Sequence, residues 1–207
     1  MKPSYGTKKP GRRSSLSISP RVESRWKIWV EAVPADGGST HDLLGNTGAG
    51  KKVRAPRRKA GMDITWVTDR IAVGGGIWNA DNMAAVSRAG ITHIIDMQIE
   101  FDDTPLAQPH GISVCWNPVD DDFEAKPAEV FERGVEFALA ALKEEKAKLF
   151  VHCAAGVHRA PMMTLALLGV MGWELEDAMD LIEGRRPAAD FAEVYVRSVE
   201  RFLKGHR

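Results

Sequence analysis

The sequence is poor in cysteine: its 207 residues contain two, Cys115 and Cys153. Two cysteines cannot build the disulfide framework that holds small secreted domains together, and they do not give the paired spacings of a zinc site. Long apolar runs are also missing, since no stretch approaches the roughly 18–20 apolar residues of a membrane-spanning helix. The N-terminus lacks the apolar core of a secretory signal. We therefore expect a cytoplasmic protein, in a reducing setting, that binds no membrane.

Each half of the chain lacks charges of one sign, although the formal net charge is zero. Residues 1–61 carry 14 Lys and Arg against 4 Asp and Glu, whereas residues 62–207 carry 14 against 24. The acidic part lacks the clustered Lys and Arg that a nucleic-acid backbone requires. We therefore expect no nucleic-acid partner.

The basic part, residues 1–61, is rich in Ser, Gly, Pro, Lys and Arg and offers little apolar surface. Such a composition cannot offset the entropy lost when a chain is ordered, so we predict a largely disordered leader. A targeting peptide, a tail and an over-long start remain open as explanations. Gly45–Lys52 resembles a nucleotide-binding loop, but Lys52 stands where Ser or Thr must hold magnesium, which favours a flexible linker.

From Met62 onwards, short β-branched runs alternate with helical patterns. Strand patterns occur at TWV, RIAVGG, ITHIIDM, GISVCWN and KLFVHC, and the last three have the composition of buried strands. A long amphipathic helix is predicted over residues 127–146, and a helix apolar on nearly all sides over residues 160–172. Three further helical patterns complete the chain. The alternation predicts an α/β fold, with a mainly parallel central sheet flanked by helices, in one domain over residues 62–207.

Cys153 lies at the end of the KLFVHC strand pattern and is followed by a loop and a helix. Small residues in this loop permit a tight curl, so that its backbone N–H groups can turn inward and hold a tetrahedral anion. Pro161 fits the first helical turn, and the helix N-terminus adds partial positive charge. The candidate anion-binding residues are Ala154, Ala155, Gly156, Val157, His158 and Arg159.

Arg159 offers a planar pair of donors to two phosphate oxygens. The same positive field favours ionisation of the Cys153 thiol, which gives a thiolate nucleophile at the floor of the loop. A buried core cysteine beside a surface arginine is the alternative interpretation. The coincidence of a strand, Cys-x5-Arg spacing, a central glycine and a following helix disfavours it.

A second element is required, because phosphate transfer to sulfur releases an alkoxide or phenoxide that needs a proton from a general acid. Asp120, Asp121 and Asp122 follow the GISVCWN strand pattern and offer that acid. Three consecutive acidic residues are also typical of a solvated turn. The two interpretations are compatible with each other.

At this point the sequence resembles the cysteine-dependent dual-specificity phosphatases of the protein tyrosine phosphatase superfamily, over residues 62–207. The H-C-x5-R-[S/T] signature corresponds to residues 152–160, and Pro118–Asp121 resembles the acid loop that precedes a long helix. The resemblance implies that Asp121 is the acid, with Asp120 as second choice, and that Cys153, Arg159 and Asp121 are catalytic. It implies a phosphorylated protein or another phosphomonoester as substrate, a phosphocysteine intermediate, and no metal or cofactor.

The resemblance also assigns supporting roles. His152 would orient the loop and tune the thiol, and Asp102 and Asp103 would shape access to the site. The closing Arg-Pro pattern and the Tyr-bearing last helix of the family are matched by RRPAADFAEVYV. Cys115 is predicted to be a core cysteine rather than a redox partner of Cys153. Trp78 and Trp116 are predicted to serve packing rather than recognition.

Two residues depart from the family signature. Ala160 replaces the hydroxyl residue that assists departure of the sulfur, so hydrolysis of the phosphocysteine should be slow. His158 stands where a small residue is usual, and either a contact to the substrate or a rim position without a role is open. The string CAAGVHRAP is similar to the loop of plant phosphoglucan phosphatases related to laforin. A phosphoglucan phosphatase and a catalytically weak phospho-binding module therefore remain alternatives, whereas sulfur transfer, as in rhodaneses, fits the acid loop poorly.

Overall fold

The computed structural model describes residues 61–206, which form a five-stranded sheet and the helices packed on it. The strands are β1 (Ile64–Trp66), β2 (Ile71–Gly74), β3 (His93–Asp96), β4 (Ser113–Trp116) and β5 (Leu149–His152). The helices are α1 (Ala80–Arg88), α2 (Thr104–Ala107), α3 (Ala128–Ala141), α4 (Arg159–Val170), α5 (Leu175–Arg185) and α6 (Glu193–Gly205). The predicted disordered leader and the Gly45–Lys52 linker lie outside the described residues. Within residues 61–206, the helices are too short or too polar to cross a membrane.

The strand order is β1-β2-β5-β3-β4, with β1 antiparallel to β2 and every other pair parallel. The predicted α/β fold with a mainly parallel sheet is therefore confirmed. β5 lies in the centre, and its last residue, His152, pairs with Gly74 on one side and Asp96 on the other. The loop after β5 consequently leaves the carboxyl edge of the sheet, where ligands of open parallel sheets bind.

The predicted buried strand GISVCWN is instead the edge strand β4, and this part of the prediction is wrong. It pairs with β3 alone, and both Ser113 and Trp116 are exposed. The periodicity of the run could not show its position, because edge and central strands share the same β-branched composition. Cys115 is half-buried and packs against the core, as predicted, and burial raises the pKa of its thiol.

The two faces of the sheet bury different side chains, because successive strand residues point to opposite sides. On β5, Leu149 and Val151 join the core formed with α3, α4 and α6, whereas Phe150 lies in the core formed with α1. In α4, residues 159–168 are all buried, which confirms the prediction of a helix apolar on nearly all sides. α4 is thus enclosed on every side, and its N-terminus cannot shift without disturbing α3, α5 and α6.

The amphipathic helix predicted over residues 127–146 ends at Ala141, earlier than expected. The carbonyl oxygens of Leu142 and Ala147 accept hydrogen bonds from the Arg70 guanidinium at 3.1 and 2.9 Å. The Arg70 side chain therefore satisfies the carbonyl at the C-cap of the helix and a second carbonyl in the turn that follows. This contact joins the turn before β5 to the start of β2.

Gly74 at the end of β2 is in close contact with the chain at the start of β1 and with the core formed with α1. A Cβ atom on Gly74 would lie 1.9 Å from the Asp63 carbonyl oxygen and 2.8 Å from the Phe150 ring. We expect Gly74→Ala to lower the free energy of unfolding by roughly 1–3 kcal/mol, as overpacked sites do. Gly184→Ala is the matched control, since its Cβ meets nothing within 4 Å, and it should raise stability by about 0.5–1 kcal/mol. Urea unfolding measures both, and equal stability of the two variants would contradict the expectation.

Candidate active site

The loop between β5 and α4 carries Cys153 at its start. The Cys153 side chain is buried, and its Sγ accepts a hydrogen bond from the Gly156 N–H at 3.2 Å. Gly156 has φ +66°, and a Cβ there would lie 2.5 Å from the backbone of Gly74. Only glycine combines this left-handed conformation with such a close approach. The curl predicted from the small residues of this loop is therefore observed.

Arg186 holds the back of the same loop. Its Nε donates to the Gly156 carbonyl at 2.7 Å, and its Nη2 donates to the Ala155 carbonyl at 3.2 Å. In a trans peptide the N–H points away from the C=O, so the N–H groups of Gly156 and Val157 face the opposite side. The Gly156 N–H indeed faces the sulfur. Arg186 therefore holds loop amides in the orientation that binds an anion.

A carboxylate outside the loop holds Arg186 in turn. Its Nη1 and Nη2 donate to Asp63 at 2.8 and 2.6 Å, and Nη1 also donates to Thr65 Oγ1 at 3.1 Å. The hydrogen bond from Arg186 keeps the pKa of the Asp63 carboxyl below its usual range. The buried guanidinium is thus paired with a charge, as a buried cation must be.

Arg159 begins α4 and is buried, with one edge of its guanidinium occupied. Its Nη1 and Nη2 donate to the two Glu100 carboxylate oxygens at 2.9 and 2.8 Å, and Nη1 donates to the Val119 carbonyl at 3.1 Å. The hydrogen bond from Arg159 lowers the pKa of Glu100. The Nε of Arg159 is buried without a hydrogen-bond partner among the described residues. The Nε/Nη2 edge is therefore the one left for two oxygens of a phosphate.

Asp121 lies next to this site, in the loop between β4 and α3. Its Oδ2 is 3.7 Å from Arg159 Nε and 3.1 Å from His158 Nδ1, and its Oδ1 accepts a hydrogen bond from Tyr195 at 3.0 Å. Asp120 is exposed, and its carboxylate accepts the N–H of Asp121. The structure thus brings Asp121, and not Asp120, beside Arg159.

Tyr195 on α6 supports Asp121 from inside the fold. Burial raises the pKa of this phenol to about 12, so the hydroxyl keeps its proton and can donate it to Asp121. The same hydroxyl oxygen accepts the N–H of Phe123 at 3.0 Å. The acid loop is therefore bound to α6 through one side chain at two positions.

His152, directly before Cys153, is fully buried between two carboxylates. Its Nε2 is 2.9 Å from Asp103 Oδ2, without the alignment of a hydrogen bond, and 3.7 Å from Asp96 Oδ1. Asp96 accepts the N–H groups of Gln98 and Asp103, and burial raises its pKa to about 6. Within residues 61–206 these three groups form the cluster compact enough to share a cation. The imidazole itself lies between the two carboxylates.

The prediction that Asp103 shapes access to the site is wrong, because its side chain is buried beneath the loop beside His152. Asp102, also predicted there, is half-buried and caps Thr104. Sequence reasoning missed Glu100 and the function of Arg186. The Arg-Pro pattern was a signal for Arg186, but Glu100 had none, since its partner lies 59 positions away.

The comparisons with known proteins agree with this geometry. Residues 77–202 match the family model described as dual specificity phosphatase, catalytic domain, and the chain therefore belongs to the dual-specificity phosphatase family. It is 35% identical over 113 residues to dual specificity protein phosphatase 5 of Rattus norvegicus, covering 54% of this chain and 28% of that protein. It is 31% identical over 106 residues to protein tyrosine phosphatase type IVA 3 of Homo sapiens, covering 50% and 60%. The chain thus spans less than two thirds of these relatives.

Solved structures of the superfamily share the fold. The DUSP15 structure superposes with a TM-score of 0.60 at 25% identity, covering 69% of this chain and 88% of DUSP15. The structure of PTPMT1 in complex with PI(5)P has a TM-score of 0.62 at 18% identity, covering 69% and 95%. At that identity the second similarity establishes the fold alone.

Replacement of Arg186 tests its support of the loop. A lysine lacks the planar set of donors that serves two loop carbonyls and Asp63 together. We expect Arg186→Lys to lower the free energy of unfolding by about 2–3 kcal/mol and to weaken vanadate binding about tenfold. Arg185→Lys, at an exposed neighbouring position, is the control and should match the wild type. Calorimetric titration measures the affinity, and unchanged vanadate binding in Arg186→Lys would show that the loop holds its shape without the guanidinium.

Proposed function

We propose that this chain is a cysteine-dependent phosphomonoester hydrolase, and specifically a dual-specificity protein phosphatase for phosphotyrosine and phosphoserine or phosphothreonine. The observation that carries the proposal is the arrangement of Cys153, whose Sγ faces the inward N–H of Gly156 in a loop closed by Arg159. The Nε/Nη2 edge of Arg159 and the loop amides together offer donors to the three non-bridging oxygens of a phosphate. Asp121 Oδ2 lies 3.7 Å from Arg159 Nε and therefore beside the proposed phosphate position.

The first step transfers the phosphoryl group to the enzyme. The thiolate of Cys153 attacks phosphorus, and the S–P bond forms as the P–O bond to the substrate breaks. Asp121 gives its proton to the departing oxygen, so that an alcohol or phenol leaves. The loop amides and Arg159 stabilise the charge that develops on the phosphoryl oxygens.

The second step hydrolyses the phosphocysteine. Asp121, now a carboxylate, takes a proton from water as the water oxygen attacks phosphorus, and the S–P bond breaks to release the thiolate. Ala160 supplies no hydroxyl to this sulfur. Thr164, the hydroxyl residue of α4, donates its proton to the Ala160 carbonyl at 2.9 Å and does not offer it to the thiol. The Gly156 N–H remains to stabilise the leaving sulfur.

Substitution of the nucleophile tests the proposal directly. We expect Cys153→Ser to abolish hydrolysis of para-nitrophenyl phosphate while vanadate still binds, because the loop amides and Arg159 remain. Cys115→Ser is the control and should keep the wild-type rate, since Cys115 lies on β4, which β3 separates from β5 and its loop. Release of nitrophenol measures the activity. Turnover by Cys153→Ser would refute the assignment of the nucleophile.

The absence of a hydroxyl at position 160 should limit the second step. A hydrogen bond to a charged sulfur is worth roughly 1.5–3 kcal/mol, or about ten- to a hundredfold in rate. We expect the wild type to release a burst of nitrophenol equal to the enzyme concentration, followed by slow turnover. Ala160→Ser should shrink the burst and raise the steady rate. Rapid-quench kinetics decides this, and a wild type without a burst would mean that the Gly156 N–H suffices.

Phosphoglucan hydrolysis is the second candidate, and exposed aromatic side chains favour it. Trp78 and Trp116 were predicted to be packing residues, but they are 51% and 43% exposed, which corrects that prediction. Trp116 donates from Nε1 to the Gln98 carbonyl, and exposed Phe123 packs on His158 beside Arg159. Aromatic faces of this kind can pack against sugar rings as well as peptide side chains. Comparing kcat/KM on a phosphorylated glucan with kcat/KM on phosphotyrosine and phosphoserine peptides separates the two candidates.

A further inference from the structure

His158 is the last residue of the phosphate-binding loop, and both of its ring nitrogens face carboxylates. Nδ1 lies 3.1 Å from Asp121 Oδ2, and Nε2 lies 3.3 Å from Asp190 Oδ2. The side chain is therefore directed at the acid loop and not at the position of a phosphate.

Three separate segments of the chain meet at His158. Asp121 belongs to the loop before α3, and Asp190 precedes α6 and donates its N–H to the Val157 carbonyl at 2.9 Å. The Phe123 ring meets the His158 ring edge to face at 5.0 Å and stacks on Tyr195 at 5.8 Å. The imidazole thus joins the phosphate-binding loop to the acid loop and to the segment before the last helix.

Phe123 shows how firmly the acid loop is held. It has φ +57°, the left-handed region that a bulky side chain rarely adopts. Such a conformation persists only where the surroundings fix it. Here Tyr195 accepts the Phe123 N–H, and His158 and Tyr195 contact its ring.

We infer that His158 is a positioning residue that holds the general acid Asp121 over the phosphate-binding loop. This inference rests on the proposed phosphatase function and adds to it. Tyr195 holds one carboxylate oxygen of Asp121, and His158 holds the other, with Arg159 Nε at 3.7 Å. Two fixed contacts restrict the carboxyl to one orientation before substrate arrives, which is where positioning contributes to rate.

A histidine suits this position because its Nδ1 can donate a hydrogen bond or accept one. Asp121 changes between carboxylic acid and carboxylate during the two steps. Oδ2 can accept from Nδ1 in both forms, which leaves the proton of the acid for the departing oxygen, whereas the fixed charge of a lysine or arginine would favour the carboxylate. A small residue at position 158 could not reach Asp121.

The first test compares leaving groups. A well-placed acid matters most when the departing oxygen is a poor leaving group, so phenyl phosphate depends on it more than para-nitrophenyl phosphate does. We expect His158→Ala to lower kcat/KM, which reports transfer of the phosphoryl group to Cys153, about ten- to a hundredfold on phenyl phosphate. This loss should be about tenfold larger than the loss of kcat/KM on para-nitrophenyl phosphate. Vanadate affinity should stay within about threefold of the wild type, because the loop amides and Arg159 are intact. Equal losses on both substrates would overturn the inference in favour of a purely structural effect.

Two conservative variants identify the contact that matters. The amide of asparagine reaches about as far as Nδ1 of histidine, and the amide of glutamine reaches about as far as Nε2. His158→Asn should therefore keep the link to Asp121 and most of the phenyl phosphate activity, whereas His158→Gln should lose it. The reverse order would show that the contact to Asp190, not the one to Asp121, is important.

A double-mutant cycle completes the test. If His158 acts through Asp121, His158→Ala should cause no further loss on phenyl phosphate in an Asp121→Asn background. A full, additive loss there would overturn the inference. Failure of the proposed function and failure of this inference give different results. A wild type that hydrolyses neither aryl phosphate contradicts the proposed function. An active wild type in which the losses from His158→Ala and Asp121→Asn are additive contradicts only the role of His158.

Discussion

The orientation of two peptide groups in the loop after β5 is the constraint on which the site depends. The carbonyl oxygens of Ala155 and Gly156 are held by Arg186, which turns the N–H groups of the same two peptides to the opposite side, and the N–H of Gly156 there faces the thiol. Gly156 has the left-handed backbone conformation that this orientation requires, and it packs so closely on the backbone of Gly74 that a Cβ atom would not fit. The sheet, the turn after α5 and the loop therefore have to form together. The contacts of Arg186 with Ala155 and Gly156, and of Gly156 with Gly74, all join residues that are distant in sequence.

Around this loop, each buried cation has a carboxylate from a different element. Arg186 pairs with Asp63 before β1, and Arg159 pairs with Glu100 after β3. Removing one partner of such a pair leaves an uncompensated buried charge, which costs more than the pair itself contributes. The pairs thus keep the guanidinium groups in one geometry. For Arg159 this geometry leaves a single edge free, which limits how a phosphate can be oriented.

The fold class and the central loop could be predicted because their signals are local. Cys153 and Arg159 lie in one short stretch whose composition requires a curl between a strand and a helix. The contacts of Glu100 with Arg159 and of Asp103 with His152 could not be predicted. These residues come together through the order of the strands in the sheet, and the pattern of apolar residues along the chain does not show that order. The position of β4 at the edge of the sheet was missed for the same reason.

His158 shows where an unusual residue carried information that the sequence alone could not resolve. The sequence marked it as a departure but left open whether it contacts substrate or has no role. Only the distances to Asp121 and Asp190 show that both nitrogens are occupied by carboxylates. The positions of three non-consecutive loops had to be known before the residue could be interpreted.

The buried carboxyl of Asp96, below the loop after β5, makes a contribution to stability that depends on pH. Burial holds its pKa at about 6 in the folded chain, above the ordinary value of 3.8 that applies when the chain is unfolded. Between these two values the folded chain binds a proton at Asp96 that the unfolded chain releases, so the contribution of Asp96 to stability falls as pH rises from about 4 to about 6 and then levels off. The buried carboxyl of Asp96 is in this sense a reservoir of one proton, which the fold takes up on acidification and gives back near neutrality.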